Sequence, residues 1–339
     1  MKEVKYMKKI INQPKQVVED LLQGLVLAHP DKLKRLEGFN VILRSQPKEE
    51  KVTLVSGGGS GHEPAHAGFV GWGMLDAAVA GEVFTSPTPD QVLEAIRAVN
   101  NPKGVLLIIK NYSGDVMNFE MAAEMAEMEG IRVAKVVVND DVAVENSTYT
   151  NGRRGIAGTV FIHKIAGALA ERGADLDEVV QIANQVIENV RSKGIALSSC
   201  IVPAVGKPNF ELGETEIEIG LGIHGEPGTH RGPMMPATEI ARDLTESIIF
   251  DLGLSSGDEV AVLINGLGAT PLMELYILNR NVAEILQKLD IRIYRTFVGE
   301  YMTSLEMAGA SVSLLKLEPE LKSLLDEAAD SPAFCQWRR

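Results

Sequence analysis

The sequence predicts an α/β protein, and three observations carry this prediction. Short apolar runs rich in Val and Ile alternate with segments of helical periodicity along most of the chain. Several of these runs end in glycine or polar residues, and in open α/β sheets ligand groups gather beyond the carboxyl ends of strands. The 339 residues, 45% hydrophobic and 23% charged, suffice for two domains with a large core. We therefore expect two α/β domains, each a sheet flanked by helices.

Seven strands are predicted from runs of mainly apolar residues, at 52–55, 105–109, 133–138, 195–202, 217–223, 260–264 and 291–297. Six helices are predicted where apolar residues recur every three or four positions, at 89–99, 118–129, 158–172, 176–193, 237–252 and 271–289. The long helical segment that ends near Lys193 is the expected passage between the halves. It predicts an N-terminal domain at 1–192 and a C-terminal domain at 193–339.

The composition excludes several classes of function. A net charge of −13 disfavours nucleic acid and anionic membranes as partners. Two cysteines, Cys200 and Cys335, exclude a disulfide framework and a cysteine-based metal cluster. The first residues are charged and lack the apolar core of an export signal, and no later run reaches the roughly 18 apolar residues of a membrane span. We expect a cytoplasmic protein that starts at Met1 or Met7.

The most informative segment is SGGGSGHEPAH at residues 56–66, which follows the predicted strand 52–55. Glycines and serines at a strand end allow the backbone to approach a small polar ligand closely. His62 adds a titratable group to the same segment. The alternative is a tight turn in which the glycines serve packing only and the histidines are ordinary loop residues.

Three chemistries that this segment superficially resembles conflict with its residues. His62 and His66 have H-E-x-x-H spacing, but a zinc site needs both on one helical face, and Pro64 predicts a helix that leaves His62 outside. Residues 58–62 lack the final glycine of the G-x-S-x-G elbow, which disfavours a serine nucleophile. No G-x-G-x-x-G fingerprint or Walker lysine follows. We therefore predict neither a metal nor a nucleotide cofactor on this chain.

A second candidate group follows the predicted strand 105–109. Lys110 and Asp115 stand there with a small hydroxyl between them, in the sequence KNYSGD. The carboxylate could act as a general base towards a substrate hydroxyl while the lysine holds another oxygen. The alternative is ordinary turn chemistry with a solvated lysine.

A third candidate is His224, which glycines flank in GIHGEPG at residues 222–228. Gly222 and Gly225 are expected to let a ligand reach the ring without a Cβ in the way. A neutral imidazole nitrogen is a competent nucleophile towards a carbonyl if the other nitrogen is held as a donor. The alternative is a turn histidine without a ligand.

The motifs that carry a family resemblance are SGGGSGHEPAHAGFVG at 56–71, KNYSGDVMNFEMA at 110–122, GIHGEPG at 222–228 and NGLGATPLMELY at 265–276. With these motifs in this order, the chain resembles the substrate-binding subunits of bacterial dihydroxyacetone kinases that depend on the phosphoenolpyruvate phosphotransferase system. The likeness covers about residues 7–337. It implies a phosphotransferase with two α/β domains that forms a homodimer.

The resemblance also implies a role for each matching residue. His224 matches the histidine that holds a ketose as a covalent hemiaminal. Six positions match residues that bind the substrate: Gly59, Ser60, Gly61, His62, Lys110 and Asp115. Among them, His62 is expected to act as an acid/base and Asp115 as the base towards the hydroxyl that is phosphorylated.

The phosphoryl donor is expected on another protein, because this sequence shows no nucleotide motif. The resemblance implies a helical donor subunit that keeps ADP with magnesium and is rephosphorylated by the phosphotransferase system. A rival interpretation is a non-catalytic paralogue that binds dihydroxyacetone and serves as a transcriptional co-activator. Such a protein would not need Asp115, whose GDVMNF context is intact. A zinc hydrolase and a plain ligand-binding protein are more distant alternatives.

Overall fold

Two six-stranded sheets, each flanked by helices, form the body of the chain. The computed structural model describes residues 7–48, 50–144 and 152–337. This arrangement confirms the predicted α/β class with a sheet and helices in each half. In the part of the chain that the structure describes, no helix is long and apolar enough to cross a lipid bilayer.

The first sheet has the strand order β1-β2-β4-β3-β5-β6. Its strands are β1 (Leu33–Arg35), β2 (Val41–Arg44), β3 (Thr53–Ser60), β4 (Ala77–Val83), β5 (Val105–Lys110) and β6 (Val133–Val138). Strands β3 to β6 run parallel, whereas β1 and β2 are antiparallel at one edge. The polar residues that follow β3 and β5 therefore meet at one edge of the sheet.

Five helices cover the two faces of this sheet. On one face pack α2 (Pro89–Val99) and α3 (Ser113–Met128). On the other pack α1 (Val17–Ala28), α4 (Thr159–Glu171) and α5 (Leu176–Asn189). Sheet and helices thus form a three-layered unit around the parallel strands.

The second sheet has the order β11-β10-β12-β7-β8-β9, and only β10 and β11 are parallel neighbours. Its strands are β7 (Val190–Ala196), β8 (Glu216–Ile219), β9 (His230–Pro233), β10 (Glu259–Gly266), β11 (Arg292–Gly299) and β12 (Gly309–Lys316). Helices α6 (Ala237–Leu252) and α7 (Leu272–Lys288) cover one face. The chain continues through α8 (Pro319–Leu325) to the hairpin β13 (Ala329–Asp330) and β14 (Cys335–Gln336).

The largest apolar cluster lies between the sheets rather than within one half. It contains Leu54 and Leu106 from the first sheet, Val186 of α5, and Leu263 and Leu315 from the second sheet. Two further clusters lie under the outer helices. Because one core joins both halves, the residues at their facing edges can form a single site.

The predicted helix to Lys193 is wrong at its end, because α5 stops at Asn189 and β7 begins at Val190. Val190 continues the apolar periodicity of the helix, but its pairing with Leu315 of β12 draws it into the sheet. The strand predicted at 195–202 accordingly ends at Ala196. The predicted domain boundary at 192/193 falls inside β7, and the division into two separately folding domains stays a prediction.

The prediction was also wrong around the glycine-rich segment. Strand β3 does not end at residue 55 but runs through the glycines to Ser60, where it pairs with β4. No helix begins at Pro64, and the local helix is a short 3-10 turn at Ala67–Phe69. The Glu63 carboxylate instead turns back to accept from the Gly61 amide at 3.0 Å, which supports a turn.

Several elements escaped prediction because they lack a distinct apolar run. Strand β4 reads AAVAGEV, and alanine and glycine have low strand propensity. Strands β1, β9, β13 and β14 span only two to four residues each. Strands β2 and β12 and helices α1 and α8 were missed as well. Tertiary pairing defines β4 and the shortest strands, whereas β2 (VILR) and α1 carry apolar residues that the prediction overlooked.

Candidate active site between the two sheets

The candidate site lies where the carboxyl ends of β3 and β5 face the second sheet. Lys110 is the last residue of β5, and Asp115 lies in the first turn of α3. His62 follows β3, and His224 lies in the loop between β8 and β9. The ring centroids of His62 and His224 are 4.7 Å apart. The fold therefore brings together histidines from both halves of the chain.

Glu226 fixes the orientation of His224. One carboxylate oxygen, Oε1, lies 2.8 Å from His224 Nδ1, and Oε2 accepts from the His224 backbone amide at 3.0 Å. Burial opposes ionisation, but the hydrogen bond from His224 and the charges around it lower the pKa of Glu226 to about 2. An ionised carboxylate only accepts, so Nδ1 carries a proton, and in the neutral form of the ring the lone pair lies on Nε2. The side chain of His224 is 20% exposed, which leaves the ring open to a small molecule.

His62 is buried and has the same arrangement of protons. Its Nδ1 donates to the carbonyl oxygen of Thr303 at 2.8 Å, which leaves the lone pair on Nε2. That Nε2 has no hydrogen-bond partner among the described atoms. Burial, aided by the neighbouring His224 and Lys110, lowers the pKa of His62 well below its ordinary 6.5. His62 is thus a neutral acceptor at physiological pH.

Lys110 and Asp115 form a buried charged pair. The Nζ of Lys110 lies 3.4 Å from Asp115 Oδ2, whereas Asp115 Oδ1 has no partner among the described atoms. A Cβ on Gly58 would lie 2.8 Å from that Nζ, so a larger residue at this position would displace the end of the lysine side chain. The amino end of α3 also favours a negative charge at Asp115. The pair therefore offers one cationic donor and one unoccupied carboxylate oxygen.

The glycines at the end of β3 admit Phe84 and Thr85 into the site. A Cβ on Gly59 would lie 2.6 Å from the Thr85 amide, and one on Gly61, whose φ is +104°, would lie 2.8 Å from the Phe84 ring. Phe84 in turn stacks on His62 with ring centroids 5.0 Å apart. The Ser60 hydroxyl donates to the Gly81 carbonyl at 2.7 Å, so its hydrogen is already used within the sheet. The roles of Gly59, Ser60 and Gly61 as substrate contacts stay predictions.

The glycines that flank His224 serve a different purpose from the one expected. A Cβ on Gly222 would lie 2.1 Å from Glu226 Oε2, and one on Gly225 would lie 2.2 Å from Asn209 Nδ2. Asn209 Nδ2 also donates to the His224 carbonyl at 2.9 Å. These glycines make room for the groups that hold His224, rather than for a ligand at its ring.

The second histidine of the H-E-x-x-H spacing belongs to a different cluster. His66 Nδ1 lies 3.0 Å from His163 Nε2, and both rings are buried. His163, which sequence reasoning left without a role, is therefore the partner of His66. Within residues 7–48, 50–144 and 152–337, no group of three or more His, Cys, Asp or Glu side chains is arranged to hold a metal ion.

Sequence reasoning missed the residues that orient the histidines. Glu226 stands two positions after His224 within a quoted motif, so a carboxylate beside a candidate nucleophile was a usable signal. Thr303 acts through its backbone carbonyl and leaves no sequence signal. Phe84 and Tyr112 contact His224 through their rings, and nothing in their local sequence indicates this.

Comparison with known proteins agrees with these motifs. Residues 23–333 match the Dak1 domain. The chain belongs to the Dak1 domain family. The family resemblance drawn from the motifs is thereby confirmed, and the match takes in every residue of the candidate site.

Named relatives of this Dak1 chain include a kinase subunit, a dihydroxyacetone kinase and a co-activator. It is 57% identical over 314 residues to the dihydroxyacetone-binding subunit DhaK of a PTS-dependent dihydroxyacetone kinase from Listeria innocua, covering 93% of this chain and 95% of that one. The dihydroxyacetone kinase of C. freundii matches with a TM-score of 0.89 and 36% identity over 98% of this chain and 61% of that one. The operon co-activator Dha-DhaQ matches with a TM-score of 0.89 and 36% identity over 94% of this chain and 98% of that one.

Proposed function

We propose that this Dak1 chain is the dihydroxyacetone-binding subunit of a dihydroxyacetone kinase and that it holds its substrate as a hemiaminal on His224. The observation that carries the proposal is the pair of histidines in the site. Glu226 holds the Nδ1 proton of His224 and Thr303 holds that of His62, so each ring presents its Nε2 lone pair. Such a ring nitrogen can attack an electrophilic carbonyl. Among the residues that the structure describes, no group of three or more His, Cys, Asp or Glu side chains is arranged to hold a metal ion instead.

The covalent step follows from this proton arrangement. The Nε2 lone pair of His224 forms a bond to the ketone carbon, and the carbonyl π electrons move to the oxygen. The ring gives up its Nδ1 proton to Glu226, and the oxygen takes up one proton, so the net change is the addition of one neutral substrate molecule. No water is lost, so the adduct contains all atoms of the substrate. His62 Nε2, which lacks a partner in the described structure, is the acid/base beside the new hydroxyl.

The phosphoryl transfer involves Lys110 and Asp115. The oxygen of the substrate hydroxyl bonds to the transferred phosphorus while the bond from that phosphorus to the donor's ADP breaks. Asp115 Oδ1 accepts the hydroxyl proton, and the Lys110 ammonium stabilises a neighbouring oxygen. Magnesium and ADP are expected on a separate helical donor subunit that the phosphotransferase system rephosphorylates. We further infer a homodimer with the two-domain division given above.

A co-activator function is the second candidate, because the likeness to Dha-DhaQ extends over nearly its whole length. A co-activator would need the hemiaminal but not a general base. The buried Lys110–Asp115 pair, with an unused carboxylate oxygen, favours the kinase.

A phosphorylation assay distinguishes the two. The purified chain is supplied with dihydroxyacetone, phosphoenolpyruvate and the phosphotransferase proteins, with and without an ADP-containing donor subunit. If the chain is a kinase subunit, dihydroxyacetone phosphate should form only when the donor subunit is present. None should form when the His224→Ala variant replaces the parent chain. A parent chain that forms the adduct but gives no product with donors from several kinases of this type would favour the co-activator. Product formed without the donor would contradict the two-protein scheme.

A further inference from the structure

Tyr112 contacts two functional groups of the site, and neither the motifs nor the relatives' names give it a role. Its ring contacts His224 edge-on, with centroids 4.6 Å apart and planes at 88°. Lys110 Nζ also lies over the same ring, at 5.1 Å from its centroid. One side chain thus touches both the proposed nucleophile and the proposed cationic donor.

The backbone holds this ring firmly in place. Tyr112 connects β5 to α3, where its amide donates to the Lys110 carbonyl at 2.8 Å and its carbonyl accepts from the Val116 amide at 2.9 Å. It is the residue before the first turn of α3, which also carries Asp115. The main chain of Tyr112 is therefore fixed relative to the strand end that carries Lys110 and the helix start that carries Asp115.

His224 approaches from the other half of the chain and needs such a reference. Glu226 sets which ring nitrogen is protonated, but both residues belong to the same loop between β8 and β9. That loop is held to the first half by the Gly220 carbonyl, which accepts from Arg154 Nη2 at 2.8 Å, and by the contacts of the His224 ring with Tyr112, His62 and Phe84. Among them, Tyr112 also contacts Lys110 through the face of its ring.

We infer that Tyr112 is a positioning residue whose ring sets the distance and angle between His224 and Lys110. The inference rests on the proposed role of His224 as the residue that binds the ketone covalently. The ring, not the hydroxyl, makes the contacts, because the hydroxyl is buried without a hydrogen-bond partner among the described atoms. Burial also raises the pKa of Tyr112 well above its ordinary 10, so the hydroxyl is no proton carrier at neutral pH.

The test compares Tyr112→Phe, which keeps the ring, with Tyr112→Leu, which removes it. Dissociation constants are measured by titration with dihydroxyacetone labelled with ¹³C at the carbonyl carbon, because the hemiaminal carbon resonates far from the ketone. Turnover is measured with the donor subunit. We expect the dissociation constant and the turnover of the Phe variant to stay within about threefold of the parent. The Leu variant should bind about 10-fold more weakly and turn over more slowly, as expected when an edge-on ring contact and a cation contact are lost.

Tyr276 is exposed on α7, so Tyr276→Leu is the matched control. Its binding and turnover should equal those of the parent. If the Leu variant fails to fold, Tyr112→Met fills a similar volume without an aromatic ring and takes its place. The inference would be overturned if the Leu or Met variant bound dihydroxyacetone within threefold of the parent. A 10-fold loss of affinity in the Phe variant would also overturn it, because the effect would then belong to the hydroxyl. A parent chain that shows no hemiaminal resonance would instead refute the proposed function, so the two failures are distinguishable.

Discussion

Replacing Glu226 by Gln should weaken dihydroxyacetone binding without unfolding the chain. The carboxylate accepts two hydrogen bonds, from His224 Nδ1 at 2.8 Å and from the His224 amide at 3.0 Å. Its pKa of about 2 means that it is ionised throughout the neutral range. In the variant, one oxygen must serve both donors, and the charge is lost.

The magnitude follows from the difference between charged and neutral hydrogen bonds. A bond to a charged group contributes about 1.5–3 kcal/mol and a neutral one about 0.5–1.5 kcal/mol, so the change costs about 1–2 kcal/mol. This corresponds to an affinity about 5- to 30-fold weaker. The weaker hydrogen bond lowers the affinity because the adduct forms only from a ring with a lone pair on Nε2. In the variant, the ring is free to carry its proton on Nε2, and it then has no lone pair there.

Isothermal titration calorimetry with dihydroxyacetone measures this loss, with Glu211→Gln as the matched control. Glu211 is an exposed carboxylate upstream of the same loop, and its replacement should leave the affinity unchanged. Binding by the Glu226→Gln chain within twofold of the parent would refute the claim that this carboxylate sets the protonated nitrogen of His224.

Four further predictions concern other parts of the site and the core. Asp115→Asn should keep the adduct but slow phosphoryl transfer by about 10²- to 10⁴-fold; unchanged turnover would mean that Asp115 is no base. Gly61→Ala should lower the denaturant midpoint, because its φ of +104° and the Phe84 ring resist a Cβ, whereas Gly24→Ala, with open space around it, should not. Burial lowers the pKa of His163 from 6.5 to about 3. Below about pH 6.5, the unfolded chain therefore binds a proton at this histidine that the folded chain does not bind. The free energy of unfolding should fall as the pH is lowered below about 6.5, by up to about 1.4 kcal/mol per pH unit. Chemical denaturation of His163→Gln should show a shallower slope, and an equal slope would contradict this. Glycerol, which lacks a carbonyl, should be phosphorylated at a negligible rate at concentrations at which dihydroxyacetone saturates the reaction. Comparable phosphorylation rates for the two compounds would mean that the hemiaminal does not select the substrate.

The sequence predicts the parts of the fold in which local pattern and tertiary environment agree. The apolar run 105–109 became β5 with Lys110 at its end, and the helices predicted at 89–99 and 237–252 have those bounds in the structure. Where the two disagree, prediction failed. Val190 fits a helical pattern as well as a strand, and its pairing with β12 decided the outcome. The glycines after residue 55 indicate a loop by composition, yet β4 pairs with them as a strand.

The site shows the same division. Lys110 and Asp115 could be placed together because a strand and the helix after it are adjacent in sequence. The contact between His62 and His224 depends on how the two sheets pack, and no local pattern encodes that. Thr303 contributes only its backbone carbonyl, which any residue possesses. The chemistry of a motif is therefore visible in the sequence, but the partners that set its protonation state are not.

The hemiaminal on His224 is the central claim, and intact-protein mass spectrometry tests it most directly. The parent chain, incubated with dihydroxyacetone and analysed under mild conditions, should gain the full mass of one substrate molecule without loss of water. His224→Ala should gain nothing, whereas His230→Ala, which changes an exposed histidine in β9, should behave like the parent. Peptide mapping should place the added mass on the segment that contains His224. An adduct that persists in His224→Ala, or a mass gain reduced by one water, would contradict the account.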